Sequence, residues 1–300
     1  MNLLKTVLAG GVLAATLGTA VAAPVLLQSN YVQVNITDLG VLSSLRYDPT
    51  NAGIFPSDKD YIEPGIPFEG FEVRSGISGT SVFANSNSGG ASISGTTAVA
   101  TGAFDYGALW SGTSSFFDIS HLFYFNNGDQ RVNIKTTVTA KSDLTNVRVS
   151  RAVDPDPDAR SFSSFSTQNQ RGIAAQSVSV NDFVGSLGSI SGLPLGLFYN
   201  GAITHNTGIV DNCCSVTNAD IYLAGGQLGN GSSGDNGIGI GFALGDLFPG
   251  QSVSWNYAYV MGGSLATIDI LPPTGVPEPS TLLLVAGALG ALVTARRRRA

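Results

Sequence analysis

The sequence predicts an all-β protein with a β-sandwich-type body, an N-terminal signal helix and a C-terminal transmembrane helix. Three observations support this fold class. Glycine accounts for 38 of 300 residues, and only 12% of residues are charged, about half the usual fraction in soluble domains. Short stretches alternate apolar and polar residues, which is typical of half-buried strands. Between the termini, no capped amphipathic helix longer than about two turns stands out.

The composition also argues against other classes of protein. A helical bundle or a disordered acidic chain would carry more charge and less glycine. The formal net charge is -6, and no basic stripe is available to neutralise phosphates. We therefore expect no nucleic-acid partner.

The first 22 residues read as a secretory signal peptide. A single lysine precedes an uncharged apolar run that ends in small residues, which is the usual order in such signals. Ala20 and Ala22 suit signal peptidase, and cleavage after Ala22 avoids placing Pro24 directly after the cut. A permanent anchor would need a longer apolar run. The predicted partners are the Sec translocon and signal peptidase.

Residues 23–270 form the predicted β-sandwich body. The stretches that alternate are Tyr31–Thr37, Gln130–Lys141, Thr145–Val153, Ala174–Phe183, Gly237–Leu244 and Ser252–Tyr259. They are rich in β-branched and aromatic residues and are separated by turn formers, so we expect two packed sheets. If the body is divided, the loop 156–172 is the best place for the boundary.

The C-terminal 30 residues have a different construction. Residues 271–280 form a proline-rich spacer, which can be neither a helix nor a central strand. Residues 281–300 contain an uncharged apolar stretch followed by a basic cluster of Arg296, Arg297, Arg298 and Arg299. The stretch is short for a transmembrane helix, but arginine stems can snorkel. The arginines predict a cytoplasmic end, with the body of the precursor on the outer side of the membrane. A buried helix with a solvated charge run would not explain the spacer.

Within the spacer, Pro277, Glu278 and Pro279 stand directly before the apolar stretch and the arginine cluster. This order resembles the PEP-CTERM sorting signal of exported Gram-negative bacterial proteins. The resemblance covers only the residues from Val276 onward. It implies that the apolar stretch holds the precursor in the inner membrane, and that an exosortase cuts near this motif and releases the body to the cell surface or extracellular matrix. Such signals accompany exopolysaccharide and biofilm systems. They indicate the route by which a protein is exported and do not specify its activity.

A rival sorting motif lies a few residues earlier. Residues 271–275 match the LPxTG pattern of Gram-positive sortase substrates. That pattern is easily met by chance in a spacer of this composition, whereas the PEP motif abuts the apolar stretch. We therefore favour the PEP-CTERM interpretation.

The most distinctive internal motif is the run of alternating acids and prolines at Asp154, Asp156 and Asp158. Carboxylates spaced in this way could converge on Ca²⁺ if the loop bends, although the run lacks the glycine and distal glutamate of an EF-hand. The competing interpretation is a turn fastened by ion pairs to nearby arginines. These arginines are Arg148, Arg151 and Arg160. We favour the ion pairs and keep calcium as a hypothesis.

Cys213 and Cys214 are the only cysteines and are adjacent. In an exported chain two cysteines normally form a disulfide, so we favour a vicinal bridge over free thiols or links to other chains. His205 is the nearest other zinc ligand, and no fourth ligand is evident, which argues against a zinc site.

The remaining motifs predict no catalytic site. His121 and His205 are far apart, no G-x-S-x-G elbow occurs, and the Gly229–Gly234 run lacks the strand-to-helix context of a dinucleotide site. Trp110 and Trp255 could stack on sugars but are more often core residues in such strands. A carboxylate pair remains possible among Asp58, Asp60, Glu63, Glu69 and Glu72.

From these observations the sequence predicts a non-catalytic structural or binding component of an exopolysaccharide or biofilm system. The alternatives are a carbohydrate-active enzyme, using an acidic pair from residues 58–72 or near the Asp154 loop, and a calcium-dependent adhesion module. We expect no cofactor other than Ca²⁺, with an exopolysaccharide as the candidate partner.

Overall fold

The computed structural model describes residues 24–270, with the exception of residue 78. Strands dominate this part of the chain, and all three of its sheets are antiparallel, which confirms the all-β prediction. The strands are β1 (Val25–Gln28), β2 (Val32–Ile36), β3 (Leu42–Tyr47), β4 (Glu69–Ser75), β5 (Ser81–Ser86), β6 (Ser94–Val99), β7 (Tyr106–Thr113), β8 (Phe117–Phe125), β9 (Arg131–Ala140), β10 (Leu144–Val153), β11 (Thr167–Arg171), β12 (Phe183–Gly188), β13 (Pro194–Phe198), β14 (Thr204–Val210), β15 (Ser233–Gly234), β16 (Gly237–Leu247) and β17 (Ser252–Met261). The helices are α1 (Ala159–Phe162) and α2 (Ala219–Leu223), with 3₁₀ turns at Ser57–Lys59, Ala174–Gln176 and Leu265–Thr267.

The three sheets differ in size and in how the chain connects them. The first contains consecutive hairpins in the order β1-β2-β3. The second has the order β14-β16-β10-β4-β5, and the third has the order β15-β11-β12-β13-β17-β9-β8-β7-β6. The chain passes between the five-stranded and nine-stranded sheets several times, and the crossing from β10 to β11 includes the loop where the sequence placed a possible boundary.

The three sheets share one large apolar core. The five-stranded sheet contributes Phe71, Val149 and Phe242, and the nine-stranded sheet contributes Trp110, Phe123 and Tyr257 to the same cluster. Val34 and Leu45 of the small sheet also belong to it. Because successive side chains of a strand point to opposite faces, burying one face of each sheet leaves the other face free for a different composition.

Most of the predicted strands occur, but one does not. The structure contains strands within five of the six alternating stretches. Residues 174–183 instead form a 3₁₀ turn and a loop, and β12 begins only at Phe183. Ser177 adopts a left-handed conformation (φ 58°), and the amide of Asp182 donates to the Ser179 carbonyl at 3.1 Å. These two turns interrupt an extended chain, although the residue pattern alternates.

A polar network inside the core joins all three sheets. Glu69 of β4 forms an ion pair with Arg151 of β10, and both side chains are fully buried. Glu69 also accepts from the Tyr259 hydroxyl of β17 at 2.7 Å and from the Leu42 amide of β3 at 2.6 Å. Burying a charge is costly unless it is paired and hydrogen-bonded, and this network meets both conditions for Glu69.

The terminal signals lie outside the described residues. These are the signal peptide with Ala20 and Ala22, the PEP motif at residues 277–279, the transmembrane helix and the arginine cluster. Among residues 24–270, no helix is both long and apolar enough to span a membrane.

Candidate functional site

Hydroxyl groups cover the outward face of the nine-stranded sheet across β6 to β9. Serine and threonine recur there at every second position, while the residues between them enter the core. The outward hydroxyls are those of Ser94, Thr96, Ser111, Thr113, Thr137 and Thr139. Together with Asp118 and Ser120 they line a trough of about 530 Å³. We call this surface the hydroxyl trough.

Charge is sparse in the hydroxyl trough. Its carboxylate, Asp118, pairs with Lys141 at 2.6 Å and accepts from the Thr113 hydroxyl at 2.6 Å. The hydrogen bond from Lys141, with that from Thr113, lowers the pKa of Asp118. The trough therefore offers hydrogen-bond donors and acceptors with little net charge, which suits a neutral polyhydroxylated ligand. It provides no net positive charge to attract an anionic ligand.

A second depression adjoins the trough along β9 and β17. It has a volume of about 370 Å³, within the range of small-molecule sites. Aromatic and amide residues line it: Phe198, Tyr199, Trp255, Tyr257, Asn133, Asn200 and Asn256. We call it the aromatic cleft. Ser254 belongs to the cleft lining and forms a hydrogen bond of 2.7 Å with Thr137 of the trough, so the two surfaces are continuous.

The aromatic cleft contains polar groups that the described residues leave without a hydrogen bond. The indole Nε1 of Trp255 is buried without a partner, and so is Nε of Arg131. Arg131 lies 3.7 Å from the Asp269 carboxylate, beyond hydrogen-bonding distance. Both residues are buried, and Trp255 belongs to the apolar core, so neither donor is open to a ligand in this conformation.

One carboxyl group near this cleft has a raised pKa. Asp129 lies at the turn before β9, close enough to Arg131 to interact with it electrostatically. Burial raises the pKa of Asp129, while hydrogen bonding from the Asn126 amide at 2.8 Å opposes the shift. A carboxyl group with a raised pKa is a candidate general acid.

The acidic residues between positions 58 and 72 do not form an open carboxylate pair. Asp60 is buried against Arg46 at 3.0 Å, and Glu72 pairs with Arg74 at 2.6 Å. Glu69 is the core residue of the network described above. Of the other two, Glu63 pairs with Arg46 and Arg160, and Asp58 accepts a hydrogen bond from Ser161. The buried members of this segment therefore hold the fold together through ion pairs.

At the acid–proline run, Asp154 and Asp156 approach Asp235, and Asp158 turns away. Carboxylate oxygens of Asp154, Asp156 and Asp235 all lie within 4.8 Å of one another. Asp158 instead accepts from the backbone amides of Ile190 at 2.7 Å and Ser191 at 3.2 Å. Anchoring that loop removes Asp158 from the cluster, so the three-residue grouping predicted from spacing is wrong in its third member.

The ion pairs expected at this run are also absent from the described structure. Arg151 pairs with Glu69, Arg148 with Asp220 at 2.7 Å, and Arg160 with Glu63 at 3.4 Å. Burial, followed by repulsion from neighbouring carboxylates, raises the pKa of Asp154 to about 8 and that of Asp156 to about 9. The arginines are thus engaged elsewhere, and Asp154 and Asp156 form no ion pair with any described residue.

Cys213 and Cys214 form a disulfide in the structure. Cys214 Sγ lies 3.7 Å from Oδ2 of Asp154. A disulfide sulfur carries no proton, so this contact is not a hydrogen bond. It also lacks the thiolate that would bind zinc.

The two histidines occupy structural positions. His121 is fully buried, stacks on Trp110 with ring centres 5.2 Å apart, and shares a hydrogen bond of 2.8 Å with Thr136. Burial lowers the pKa of His121 well below its ordinary range. His205 contacts Asp182 at 3.0 Å and packs against Tyr199 of the aromatic cleft. Trp110 is likewise a core residue.

The sequence interpretation missed the hydroxyl trough and Asp235. A signal for the trough existed, because serine and threonine alternate at positions 94 and 96, 111 and 113, and 137 and 139. Asp235 gave no comparable signal, since its approach to Asp154 depends on which strands pair.

Comparisons with known proteins inform the fold. Neither a scan against family models nor a search of curated proteins found a match. Among solved structures, a bacterial glucoamylase complexed with acarbose has a TM-score of 0.50 at 13% identity, with coverage of 81% of this chain and 32% of the glucoamylase. This chain therefore spans about a third of the glucoamylase's length.

Two further solved structures match less closely. A polysaccharide lyase has a TM-score of 0.40 at 17% identity and covers 79% of this chain and 33% of its own. A putative aldose 1-epimerase from Escherichia coli K12 has a TM-score of 0.36 at 9% identity and covers 83% of this chain and 99% of its own.

The glucoamylase match corrects one expectation. The sequence predicted a non-catalytic chain, yet the described fold is one that a carbohydrate-active enzyme uses. The prediction rested on the lack of a recognisable catalytic motif. A fold of this kind can position acidic residues from separate strands and loops, so a linear motif is not required.

Proposed function

We propose that this protein is carbohydrate-active and holds a neutral polysaccharide along the hydroxyl trough and the aromatic cleft. The observation that carries the proposal is the continuity of the two surfaces through the contact between Thr137 and Ser254. Hydroxyl and amide side chains exchange hydrogen bonds with sugar hydroxyls, whereas the aromatic residues of the cleft are buried and support its floor.

The catalytic part of the proposal rests on Asp129. Asp129 is half-buried and has a raised pKa, which suits a general acid, and it lies two residues before Arg131 of the cleft lining. In this mechanism Asp129, in its protonated form, donates a proton to the glycosidic oxygen as the C–O bond breaks. A water molecule adds its hydroxyl to the released anomeric carbon, and its remaining proton restores the acid.

A binding and cleavage screen tests this function. The purified protein is incubated with neutral and acidic polysaccharides, and both saturable binding and the release of new chain ends are measured. We expect binding and cleavage of a neutral polymer. Asp129→Asn should reduce turnover at least tenfold with little change in affinity, and Asp211→Asn, an exposed carboxylate outside both surfaces, should leave turnover unchanged. Absence of saturable binding to every neutral polymer would overturn the proposal, and binding without turnover would overturn its catalytic part.

We also propose that the protein reaches the cell surface or extracellular matrix through its PEP-CTERM-like terminus. The support is the order of PEP motif, apolar stretch and arginine cluster in the sequence. Mass spectrometry of the mature C-terminal peptide tests this route. We expect the chain to end near Pro277–Pro279. An end at Thr274 would indicate the sortase-type motif, and a retained arginine cluster would contradict both forms of processing.

A further inference from the structure

The acidic cluster of Asp154, Asp156 and Asp235 is created by strand pairing. Asp154 directly follows β10, and Asp235 lies two residues before β16. These strands are antiparallel neighbours in which Val153 pairs with Ile238. The pairing therefore brings the end of one strand to the start of the other, with carboxylate oxygens of all three residues within 4.8 Å of one another.

The surroundings of Asp154 and Asp156 differ from those of the other buried carboxylates in the described structure. Both are at least 97% buried, and Oδ1 of each has no hydrogen-bond partner. The remaining buried acids have donors: Asp60 and Glu72 have arginines, Asp158 has backbone amides, and Glu69 has both kinds of donor. Asp48 accepts from three amides and a hydroxyl. Two buried carboxylates that each have a partnerless oxygen, and that lie within 4.8 Å of a third carboxylate, indicate a missing positive charge.

We propose that Asp154, Asp156 and Asp235 bind a calcium ion. Ca²⁺ prefers several carboxylate and carbonyl oxygens and tolerates irregular geometry, whereas Mg²⁺ requires a near-ideal octahedron. Asp235 is exposed, which gives the ion a path from solvent. Zinc does not suit this donor set, because the sulfur atoms of Cys213 and Cys214 are joined in a disulfide.

Calorimetric titration with CaCl2 tests the site. The purified full-length protein is first depleted of metal with EDTA, and its Tm is measured with and without Ca²⁺. We expect one saturable binding event with a Kd of about 10⁻³ M or tighter, in the range of extracellular modules. At about 100 times Kd, the Tm should rise by about 5 °C. Mg²⁺ should bind at least tenfold more weakly.

Matched variants locate the ion. Asp156→Asn should abolish binding and should melt in EDTA at or above the wild-type Tm, because the substitution removes a repelling charge. Asp143→Asn changes an exposed carboxylate at the opposite end of β10 and should bind Ca²⁺ as the wild type does. If Asp156→Asn does not fold, the exposed Asp235→Asn variant should show at least a tenfold loss of affinity. The proposal would be overturned if Ca²⁺ gives neither binding heat nor a Tm shift with the wild type. It would also be overturned if the tested cluster variant binds Ca²⁺ as tightly as the wild type does.

Discussion

The pKa of a buried carboxyl group depends on the hydrogen-bond donors that surround it. Asp48 shows the most complete local solvation: its oxygens accept from the Thr50 amide at 2.8 Å, the Thr50 hydroxyl at 2.6 Å, and the amides of Ala52 and Ile54 at 3.0 and 3.1 Å. Burial acts to raise the pKa of Asp48, but these hydrogen bonds together lower it below its ordinary 3.8. The ionised side chain therefore stabilises the loop 50–54.

Asp48 should give the protein a measurable pH dependence of stability. Because its folded-state pKa is lowered, its contribution is present above about pH 4 and is lost as the pH falls through the folded-state pKa. We expect Asp48→Asn to reduce the free energy of unfolding by about 1–3 kcal/mol at pH 7, with the difference from wild type closing toward pH 2. Urea unfolding between pH 2 and 7 measures this, with Asp143→Asn as control. A difference that is constant across that range would contradict the assignment.

The residues of the acidic cluster show what sequence spacing can and cannot determine. Alternation along the Asp154–Asp158 run identified carboxylates that could share a face. It could not reveal that the Asp158 carboxylate would accept hydrogen bonds from the amides of Ile190 and Ser191. Nor could it reveal that Asp235 would be the third carboxylate beside Asp154 and Asp156. Both outcomes depend on contacts between residues more than 30 positions apart, for which local spacing contains no information.

At the scale of elements, the Glu69–Arg151 pair connects β4 and β10 to the rest of the core. Arg151 also lies over the rings of Phe71 and Phe123, 5.8 and 5.3 Å from their centres. Burial raises the pKa of Glu69, although Arg151, Tyr259 and the Leu42 amide all act to lower it. The pair is therefore a costly feature whose partners must remain together.

Breaking this pair on one side should destabilise the protein strongly. We expect Glu69→Gln to reduce the free energy of unfolding by about 3–5 kcal/mol, because Arg151 would remain charged and buried. Tyr259→Phe, which removes a single hydrogen bond, should cost about 1–2 kcal/mol. Denaturant unfolding at pH 7 compares them. Equal losses from the two substitutions would contradict the central position of Glu69 in the network.

The strands were largely predictable because the sequences of β9, β10, β16 and β17 alternate over long stretches, even though β10 and β16 are buried on both faces over most of their length. Residues 174–183 show the limit of this signal, since Ser177 and the Ser179–Asp182 turn interrupt the strand while the pattern continues. The order of strands within the sheets was not predictable, because local periodicity does not specify partners. Consequently the hydroxyl-bearing strands were not recognised as neighbours.

At the scale of the whole molecule, the positive charges of the body lie in one part of the sequence and most of them form ion pairs. All lysines and arginines between residues 24 and 295 lie from Arg46 to Arg171, and most of the described arginines form ion pairs. The sheet face that bears the hydroxyl trough is left nearly neutral. Low charge on this surface suits contact with a neutral polymer.

Blocking the hydroxyl trough tests most directly whether a polysaccharide lies there. Ser120→Tyr places a ring in the trough at a strand position, where tyrosine is well tolerated. Val82→Tyr makes a similar change at an exposed position of β5, outside both surfaces. Calorimetric titration with the neutral polysaccharide identified in the screen should show at least a tenfold loss of affinity for Ser120→Tyr and none for Val82→Tyr. Wild-type affinity in a folded Ser120→Tyr variant would contradict the proposed site.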